Sequence, residues 1–364
     1  MGLQVGLVGL PNVGKSTLFN ALSRAGALAA NYPFATIDAN VGVVAVPDER
    51  LDRVAELAGS ARTVPTTIEF VDIAGLVAGA STGEGLGNQF LAHIREVDAI
   101  CHVVRCFDDD DVVHVSGVVD PVGDVDVVET ELILKDLETV EKRLERITRV
   151  ARSGDTSAAD EAGFLGRLRD HLAAGEPARR FECAAVHADL LRDLFLLSAK
   201  AVVYAANVGE DDLPDGGPLV EPLRKLAVDQ EADVVVVCAQ VEAELTDLPE
   251  PEQREYLGAL GLERSGLERL VNAAYRLLGL VTFFTADDKE ARAVTVRRAT
   301  RAQRAAREIH SDMERGFIRA EVISYHDYLT YGSESAVRDA GRLRLEGKDY
   351  PVADGDVIRF RFAV

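Results

Sequence analysis

Short apolar segments and amphipathic stretches alternate along the first part of the chain. Leu3–Val8 reads as a short strand, and a glycine-rich turn connects it to an amphipathic helix. Further strands rich in β-branched residues are predicted at Thr67–Val71, Ala99–Val104, Ala201–Ala205 and Asp233–Val237. Helical patterns separate most of these strands. This alternation is typical of a doubly wound, mostly parallel α/β sheet.

A heptad pattern replaces this alternation in the middle of the chain. From Ile133 to Ala151, apolar residues are spaced by four and three positions, and charged residues fill the other faces. A loop near Ser153–Thr156 and a second apolar stripe from Phe164 to Leu172 follow. We predict an antiparallel helical hairpin inserted into the sheet domain. Because two heptads are a short signal, an ordinary bundle helix packed on the body is the alternative.

The last part of the chain has the pattern of a small α+β domain. Short strands are predicted at Val281–Thr285, Val294–Val296, Ile318–Ile323, Arg342–Leu345 and Val357–Phe362. A helix is predicted over Ala302–His310, and Asp354-Gly355 is a turn signal before the last strand.

In the first half of the chain, Asp48 is the predicted cap of a helix that ends at Gly59.

Charge divides the chain into the same three parts. The formal net charge is −21, from 40 basic and 61 acidic residues. Residues 135–200 are neutral overall and residues 279–364 carry +1, so residues 1–134 with 201–278 carry −22. We predict three domains with these boundaries, the helical one inserted into the acidic one. An acidic surface repels nucleic acid, so RNA contact is expected on the two balanced domains; solubility alone is the other explanation of the acidity.

Composition excludes several classes of protein. Apolar residues make up 47% of the chain and charged residues 28%, the balance of a globular protein with a core. No apolar run approaches the roughly 18 residues of a membrane helix, and no basic n-region opens the chain. The four scattered cysteines fit neither a disulfide framework nor a zinc site. We therefore expect a cytoplasmic protein in a reducing compartment.

Gly9-Leu-Pro-Asn-Val-Gly14-Lys15-Ser16 has the G-x-x-x-x-G-K-[ST] pattern of a phosphate-binding loop, or P-loop. It lies between a predicted strand and a helix, where backbone N–H groups and the helix N-terminus bind phosphate oxygens. In this pattern Lys15 reaches the β- and γ-phosphates and the Ser16 hydroxyl binds Mg²⁺. The residues of this loop that we predict to bind nucleotide are Asn12, Val13, Gly14, Lys15, Ser16 and Thr17.

A second motif, Asp72-Ile-Ala-Gly75, follows the strand predicted at Thr67–Val71. A carboxylate at this strand end holds the metal through water, and the glycine N–H senses a γ-phosphate, so Asp72 and Gly75 are the predicted switch residues. Thr36 is the only threonine between the P-loop helix and the strand near Val41, and it is our second predicted metal ligand. The alternative role of Thr36 is to cap its loop.

Four longer segments carry a more specific signal: Asn31-Tyr-Pro-Phe-Ala-Thr36-Ile, Asp72-Ile-Ala-Gly-Leu-Val, Gly83-Glu-Gly-Leu-Gly-Asn-Gln-Phe-Leu-Ala-His-Ile-Arg-Glu and Val103-Val-Arg-Cys-Phe. They resemble the Obg-like ATPase family, also called YchF. Phe317-Ile-Arg-Ala-Glu-Val-Ile-Ser and Leu345-Glu-Gly-Lys-Asp-Tyr resemble the TGS domain of that family. The resemblance implies a TRAFAC-class P-loop NTPase domain with an inserted helical hairpin and a ubiquitin-like TGS domain. It also implies a cytosolic protein associated with ribosomes.

The base-recognition motif departs from that of GTPases. These recognise guanine with Asn-Lys-x-Asp, whereas this chain has Asn207-Val208-Gly209-Glu210. The lysine that lies along the base is missing, and the longer Glu210 cannot keep two good hydrogen bonds to guanine, an unpaired edge that costs about 1–3 kcal/mol. The resemblance implies ATP, with Asn207 and Val208 beside the adenine, and Glu210 is included in the predicted site. Cys238 stands where the family usually has serine.

The water-orienting residue also differs from that of many GTPases. Leu76 takes the position of their glutamine, and a leucine orients nothing. His114 follows the acidic run Phe107-Asp-Asp-Asp-Asp111, which is expected to raise the pKa of His114, and it is our predicted catalytic residue. An exposed loop histidine is the alternative. Asn12 either helps to coordinate a monovalent cation such as K⁺, as in relatives that lack the glutamine, or is a turn residue.

We interpret the chain as a monomeric, slow, Mg²⁺-dependent ATPase that acts as a nucleotide switch on the ribosome or a ribosomal subunit, through its TGS and helical domains. Two alternatives stay open: an Obg-type GTPase in ribosome assembly, and a scaffold that binds nucleotide without hydrolysing it. Four arginines of the last domain are candidates for the RNA contact, with a solvated basic face as the alternative. They are Arg297, Arg298, Arg301 and Arg304.

Overall fold

The computed structural model describes residues 3–29, 40–73, 86–109, 111–114 and 117–363. Within these ranges the strands are β1 (Gln4–Val8), β2 (Val41–Ala45), β3 (Thr63–Val64), β4 (Thr67–Asp72), β5 (Ala99–Arg105), β6 (Ala201–Asn207), β7 (Asp233–Val237), β8 (Leu280–Ala286), β9 (Ala291–Arg297), β10 (Phe317–Ser324), β11 (Arg344–Glu346) and β12 (Asp356–Phe362). The α-helices of the same ranges are α1 (Lys15–Ala29), α2 (Glu49–Ala58), α3 (Leu86–Glu96), α4 (Pro121–Ala151), α5 (Thr156–Ala173), α6 (Ala188–Asp193), α7 (Gly217–Asp229), α8 (Ala239–Leu245), α9 (Glu250–Ala259), α10 (Gly266–Leu277), α11 (Ala302–Ala306), α12 (Ser311–Arg315), α13 (Tyr325–Tyr331) and α14 (Glu334–Asp339). None of these helices is long and apolar enough to cross a membrane.

The chain forms two compact units. The first consists of Met1–Val44 with Glu69–Ala274, and the second of Ala45–Ile68 with Tyr275–Val364. The helical hairpin thus belongs to the same compact unit as the first sheet, and residues 45–68 belong with the C-terminal part. The division into three domains stays a prediction.

The sheet of the first unit has the strand order β2-β4-β1-β5-β6-β7. β1 pairs in parallel with β4 and β5, β5 with β6, and β6 with β7. β5 is buried along its whole length, as expected for a strand covered on both faces. The predicted doubly wound, mostly parallel sheet is confirmed. Because these strands are parallel, their carboxyl ends lie at one edge of the sheet, where such folds bind their ligands.

Helices α4 and α5 form the predicted antiparallel hairpin. Ile133 and Val140 of the heptad pattern are buried in one apolar cluster with Phe164 and Leu168 of α5. α4 begins well before this pattern, at Pro121, and its first half also packs against β5 and α7. The hairpin is therefore confirmed, and its first helix is at the same time part of the body.

The second unit has the sheet order β11-β10-β12-β8-β9-β3. Neighbouring strands are antiparallel except β12 with β8 and β3 with β9. One apolar cluster joins the sheet to α11, and a second joins it to α2, α13 and α14. The predicted α+β fold of the C-terminal part is confirmed, and residues 45–68 add α2 and β3 to it.

Helix limits in the second unit partly differ from the prediction. Asp48 caps α2 by accepting a hydrogen bond from the Arg50 N–H at 3.1 Å, and the helix ends at Gly59, as predicted. The helix predicted over Ala302–His310 is wrong in extent, because α11 ends at Ala306. His310 has extended backbone, and its Nδ1 accepts a hydrogen bond from the Asp312 N–H at 3.1 Å. The histidine therefore starts a new helix, α12, instead of continuing the old one.

Candidate nucleotide-binding site

The P-loop joins β1 to α1 at the edge where the parallel strands end. The first helical hydrogen bond of α1 runs from the Leu18 N–H to the Gly14 carbonyl at 3.0 Å. The N–H groups of the preceding turn have no acceptor within the helix. Asn12 and Gly14 have left-handed backbone, with φ of 63° and 88°. This conformation folds the loop tightly in front of the helix N-terminus, a geometry that suits a phosphate group.

Asn207 at the end of β6 fixes the P-loop in place. Its Nδ2 donates to the Val13 carbonyl at 2.9 Å, and its Oδ1 accepts from the Ala239 N–H at 2.9 Å. A Cβ on Gly14 would lie 2.2 Å from the Asn207 Nδ2, so glycine is required there. Sequence reasoning places Asn207 beside the adenine, and this remains a prediction. The structure gives its side chain a different role, since both ends of the amide join the P-loop to the start of α8.

Lys15 and Asp72 form an ion pair between the P-loop and the end of β4. Lys15 is buried, and Asp72 is about three-quarters buried. The residues predicted to bind phosphate and to hold the metal through water therefore meet in one place. Hydroxyl and carboxylate oxygens, as offered by Ser16 and Asp72, are the ligands that Mg²⁺ prefers, so the residues present fit this metal. The predicted Thr36 and Gly75, like Leu76, lie outside the described residues.

The segments after β6 and β7 contain the residues that the sequence predicts to lie beside the base. Val208 is buried, and its N–H donates to the Val237 carbonyl at 2.9 Å. Cys238 is also buried, and this burial raises the pKa of its thiol. Glu210 is exposed, and the hydroxyl of Tyr256 on α9 donates to the Glu210 Oε1 at 3.4 Å.

The Tyr256 hydroxyl also lies 3.0 Å from the Oε2 of Glu244, a second carboxylate. Burial and the hydrogen bond to Glu244 raise the pKa of Tyr256 to about 12, so the phenol keeps its proton at neutral pH. Sequence reasoning missed Tyr256, because nothing in the spacing of α9 links it to Glu210.

His114 is buried, which makes the alternative of an exposed loop histidine wrong. Its Nε2 lies 3.0 Å from the Oδ2 of Asp124, in the first turn of α4. Burial raises the pKa of Asp124, and the hydrogen bond with His114 opposes this effect. The sequence pointed to the acidic run before His114, whereas the structure provides Asp124 as a carboxylate partner. Asp124 was missed because α4 begins before the heptad pattern that predicted it.

The residue before His114 contacts the P-loop. The Asn12 Nδ2 donates to the Val113 carbonyl at 3.1 Å. The predicted catalytic residue and the predicted phosphate-binding loop are therefore neighbours, although the imidazole of His114 is only 4% exposed.

Comparisons with known proteins agree with this geometry. Residues 4–148 match the MMR_HSR1 family model, described as a 50S ribosome-binding GTPase. Residues 280–363 match the YchF-GTPase_C model, described as a protein of unknown function (DUF933). The ribosome-binding ATPase YchF of Bacillus subtilis (strain 168) is 52% identical over 366 residues, and that of Escherichia coli O157:H7 is 50% identical over 364 residues. Both alignments cover 100% of each chain.

A solved structure of the Schizosaccharomyces pombe YchF GTPase has a TM-score of 0.90 and 37% identity, and it covers 99% of this chain and 98% of that chain. The α/β sheet and the P-loop at its carboxyl edge define a P-loop nucleoside-triphosphate-binding protein. With full-length relatives at about half identity, the chain belongs to the YchF family.

Proposed function

We propose that this protein is a slow, Mg²⁺-dependent ATPase that works as a monomeric nucleotide switch on the ribosome. The observation that carries the proposal is the meeting of Lys15 and Asp72 in front of the P-loop helix. The relatives named ribosome-binding ATPases support it, since they align with this chain from end to end.

The proposed roles of the site residues follow from the sequence motifs to which they belong. The P-loop amides and Lys15 bind the phosphates, which requires Lys15 to leave Asp72. Ser16 and Thr36 would hold Mg²⁺ directly and Asp72 through water, and the Gly75 N–H would sense the γ-phosphate. When bound, Mg²⁺ neutralises charge on the phosphate oxygens. Asn12 is proposed to help hold a monovalent cation such as K⁺ in addition to its bond with Val113.

We infer slow turnover from the burial of the His114 side chain. Its imidazole is almost fully buried against Asp124, so the side chain must turn out of this position, on a loop backbone that stays in place, before it orients water or stabilises developing charge. Conformational steps of this kind limit many enzymes. We propose that His114 is catalytic once binding to the ribosome has turned its side chain toward the nucleotide. Without ribosomes, turnover should be far below the roughly 10 s⁻¹ of a typical enzyme.

The names of the relatives do not decide between ATP and GTP, because the Bacillus subtilis protein is called an ATPase and the Schizosaccharomyces pombe protein a GTPase. In this chain Val208 replaces the lysine of the guanine motif and is buried. Glu210 replaces the aspartate and is bound by Tyr256. Val208 cannot lie along the base as the lysine does, and the longer Glu210 cannot keep two good hydrogen bonds to a guanine edge, which supports ATP.

Two measurements test the proposal. Competition against a fluorescent nucleotide analogue should show ATP binding at least as tightly as GTP, and the double variant Val208→Lys with Glu210→Asp should shift the preference toward GTP. Single-turnover hydrolysis should become faster when ribosomes are added. Strong preference for GTP would favour the Obg-type GTPase, and no hydrolysis with or without ribosomes would favour a non-hydrolysing scaffold.

A further inference from the structure

A buried arginine at the end of β5 underlies the loop that carries His114. We propose that Arg105 is a positioning residue of the ATPase site, which holds this loop against the P-loop. The inference rests on the proposed function, because it assigns to Arg105 a role that acts through His114.

Arg105 is 2% exposed and is one of the largest fully buried side chains of the described residues. Its guanidinium donates to three carbonyls of the loop: Nε to Phe107 at 3.1 Å, one terminal nitrogen to Val112 at 2.8 Å and the other to Asp109 at 3.3 Å. The guanidinium carbon also lies 4.6 Å from the centre of the Phe107 ring. A planar group whose donors are spread over three nitrogens in a fixed fork suits three carbonyls at different points of the loop.

The loop needs such support because of its charge. Asp108, Asp109 and Asp111 are exposed and carry like charges, and they lie beside a site for anionic phosphates. Without the contacts to Arg105, the carboxylates of this segment would repel it from the phosphates of a bound nucleotide. With its carbonyls turned inward to Arg105, the loop has a buried positive charge behind it and its carboxylates in solvent.

The end of the supported segment makes the contacts that matter for the site. The Val113 carbonyl, next to the Val112 carbonyl that Arg105 binds, accepts the hydrogen bond from Asn12 of the P-loop. His114 follows directly and pairs with Asp124. The charge of Arg105 also favours the carboxylate form of Asp124, while Asp120 opposes it. Arg105 therefore acts on the position of His114 through the backbone and on its partner through charge.

The test compares Arg105→Lys with the wild type. Lysine keeps the charge but loses the fork, so at most part of the carbonyl set stays bound. We expect kcat in the presence of ribosomes to fall ~10- to 100-fold, with the Kd for ATP within about twofold of wild type, because misplacement of a catalytic group affects the chemical step and not phosphate binding. Arg224→Lys is the matched control, since Arg224 is another arginine of the first unit that donates to a backbone carbonyl, that of Asp215, and it is not one of the predicted site residues.

A double variant shows whether Arg105 acts through His114. His114→Ala combined with Arg105→Lys should be no slower than His114→Ala alone, because residues that act as one unit are not additive. Additive losses would overturn the inference, as would unchanged kcat in Arg105→Lys.

Hydrogen exchange of the nucleotide-free protein gives a readout that does not depend on hydrolysis. Arg105→Lys should speed amide exchange in peptides that cover residues 107–114 and leave the rest of the first unit unchanged. If this variant does not fold, Phe107→Leu removes the ring under the guanidinium and should show the same pattern to a smaller degree. Unchanged exchange would overturn the inference. A wild type that does not hydrolyse ATP would instead overturn the proposed function, and exchange would still decide the role of Arg105.

Discussion

At the scale of single residues, Asn207 shows how a residue of the predicted base motif also holds the P-loop. Its buried amide bonds the Val13 carbonyl and the Ala239 N–H, and it lies where any side chain on Gly14 would be. The P-loop thus depends on a residue that follows it by nearly two hundred positions in the sequence.

Asn207→Ala should therefore weaken the binding of every nucleotide, and not only the choice of base. The substitution leaves a buried carbonyl and a buried N–H without partners, which costs about 1–3 kcal/mol for each group. We expect similar losses of affinity for ATP, GTP and free triphosphate, measured by competition with a fluorescent analogue. Gln240→Ala, at an exposed position two residues after Cys238, is the control. A loss confined to ATP would mean that Asn207 acts on the adenine.

His102 in β5 is expected to make the stability of the first unit depend on pH. Burial and the nearby charge of Arg179 lower the pKa of His102 to about 3. Below the ordinary value of about 6.5, the unfolded chain takes up a proton that the folded chain does not, so stability falls as pH falls. This loss approaches ~1.4 kcal/mol per pH unit.

Substitution of His102 should remove that dependence. His102→Phe keeps a ring beside Tyr204, whose ring centre is 5.9 Å away, and cannot bind a proton. The free energy of unfolding, measured in urea by circular dichroism at about pH 7, 6 and 5, should fall less steeply in this variant than in the wild type. His326→Phe, at an exposed position, should keep the wild-type slope. Equal slopes for His102→Phe and wild type would show that His102 does not take part.

At the scale of elements, sequence patterns predicted what depends on local periodicity. The parallel strands, the hairpin and the capped helix α2 all carry their signal within one segment, and all three are confirmed. The P-loop was equally visible, because its glycines and Lys15 are adjacent in the sequence. What could not be predicted is pairing between distant segments: α2 with the C-terminal sheet, Asp124 with His114, and the three carbonyls that Arg105 binds. Such contacts depend on tertiary packing, and no regular spacing of residues in the sequence indicates them.

One buried carboxylate, Asp136 of α4, holds the root of the hairpin, which is the end where the hairpin joins the sheet. It accepts hydrogen bonds from the Leu197 N–H at 2.8 Å, the Ser198 N–H at 2.8 Å and the Ser198 hydroxyl at 2.6 Å. Asp136 has no exposed surface, and burial raises its pKa against the effect of these three donors. The two segments that connect the hairpin to the sheet are thereby joined to each other.

Asp136→Ala should detach this root without destroying the sheet. Two buried N–H groups lose their acceptor, and we expect the free energy of unfolding to fall by about 2–4 kcal/mol. Hydrogen exchange should rise around residues 197–198 and along α4. Glu141→Ala, at an exposed position on the same helix, should change neither quantity. A loss below about 0.5 kcal/mol would contradict the assignment of Asp136 as an anchor.

At the scale of the whole molecule, the uneven charge decides where a polyanion can bind. Residues 1–134 with 201–278 carry a net charge of −22, and ribosomal RNA is densely negative. Acidic side chains neutralise part of the charge of the predicted arginine group, since Arg301 pairs with Asp349 at 2.8 Å and Arg304 with Glu314 at 3.3 Å. The pair of Arg301 is exposed, and in the other pair Arg304 is exposed and Glu314 half-buried. Surface pairs of this kind are weak enough for an RNA phosphate to replace the carboxylate.

Neutralising Arg298, Arg301 and Arg304 together to glutamine should therefore weaken co-sedimentation with ribosomes and leave the Kd for ATP intact. Each lost phosphate contact should lower the slope of log affinity against log salt by about 0.7–0.9, so the salt series distinguishes lost contacts from misfolding. The matched control is a triple glutamine variant of three other surface arginines of the second unit, Arg338, Arg359 and Arg361, which pair with Glu334 and Glu321. An equal effect of both variants would indicate unspecific attraction. Unchanged co-sedimentation of the first variant would move the contact to the hairpin end near Arg149 and Arg152, or exclude an RNA contact of the C-terminal unit.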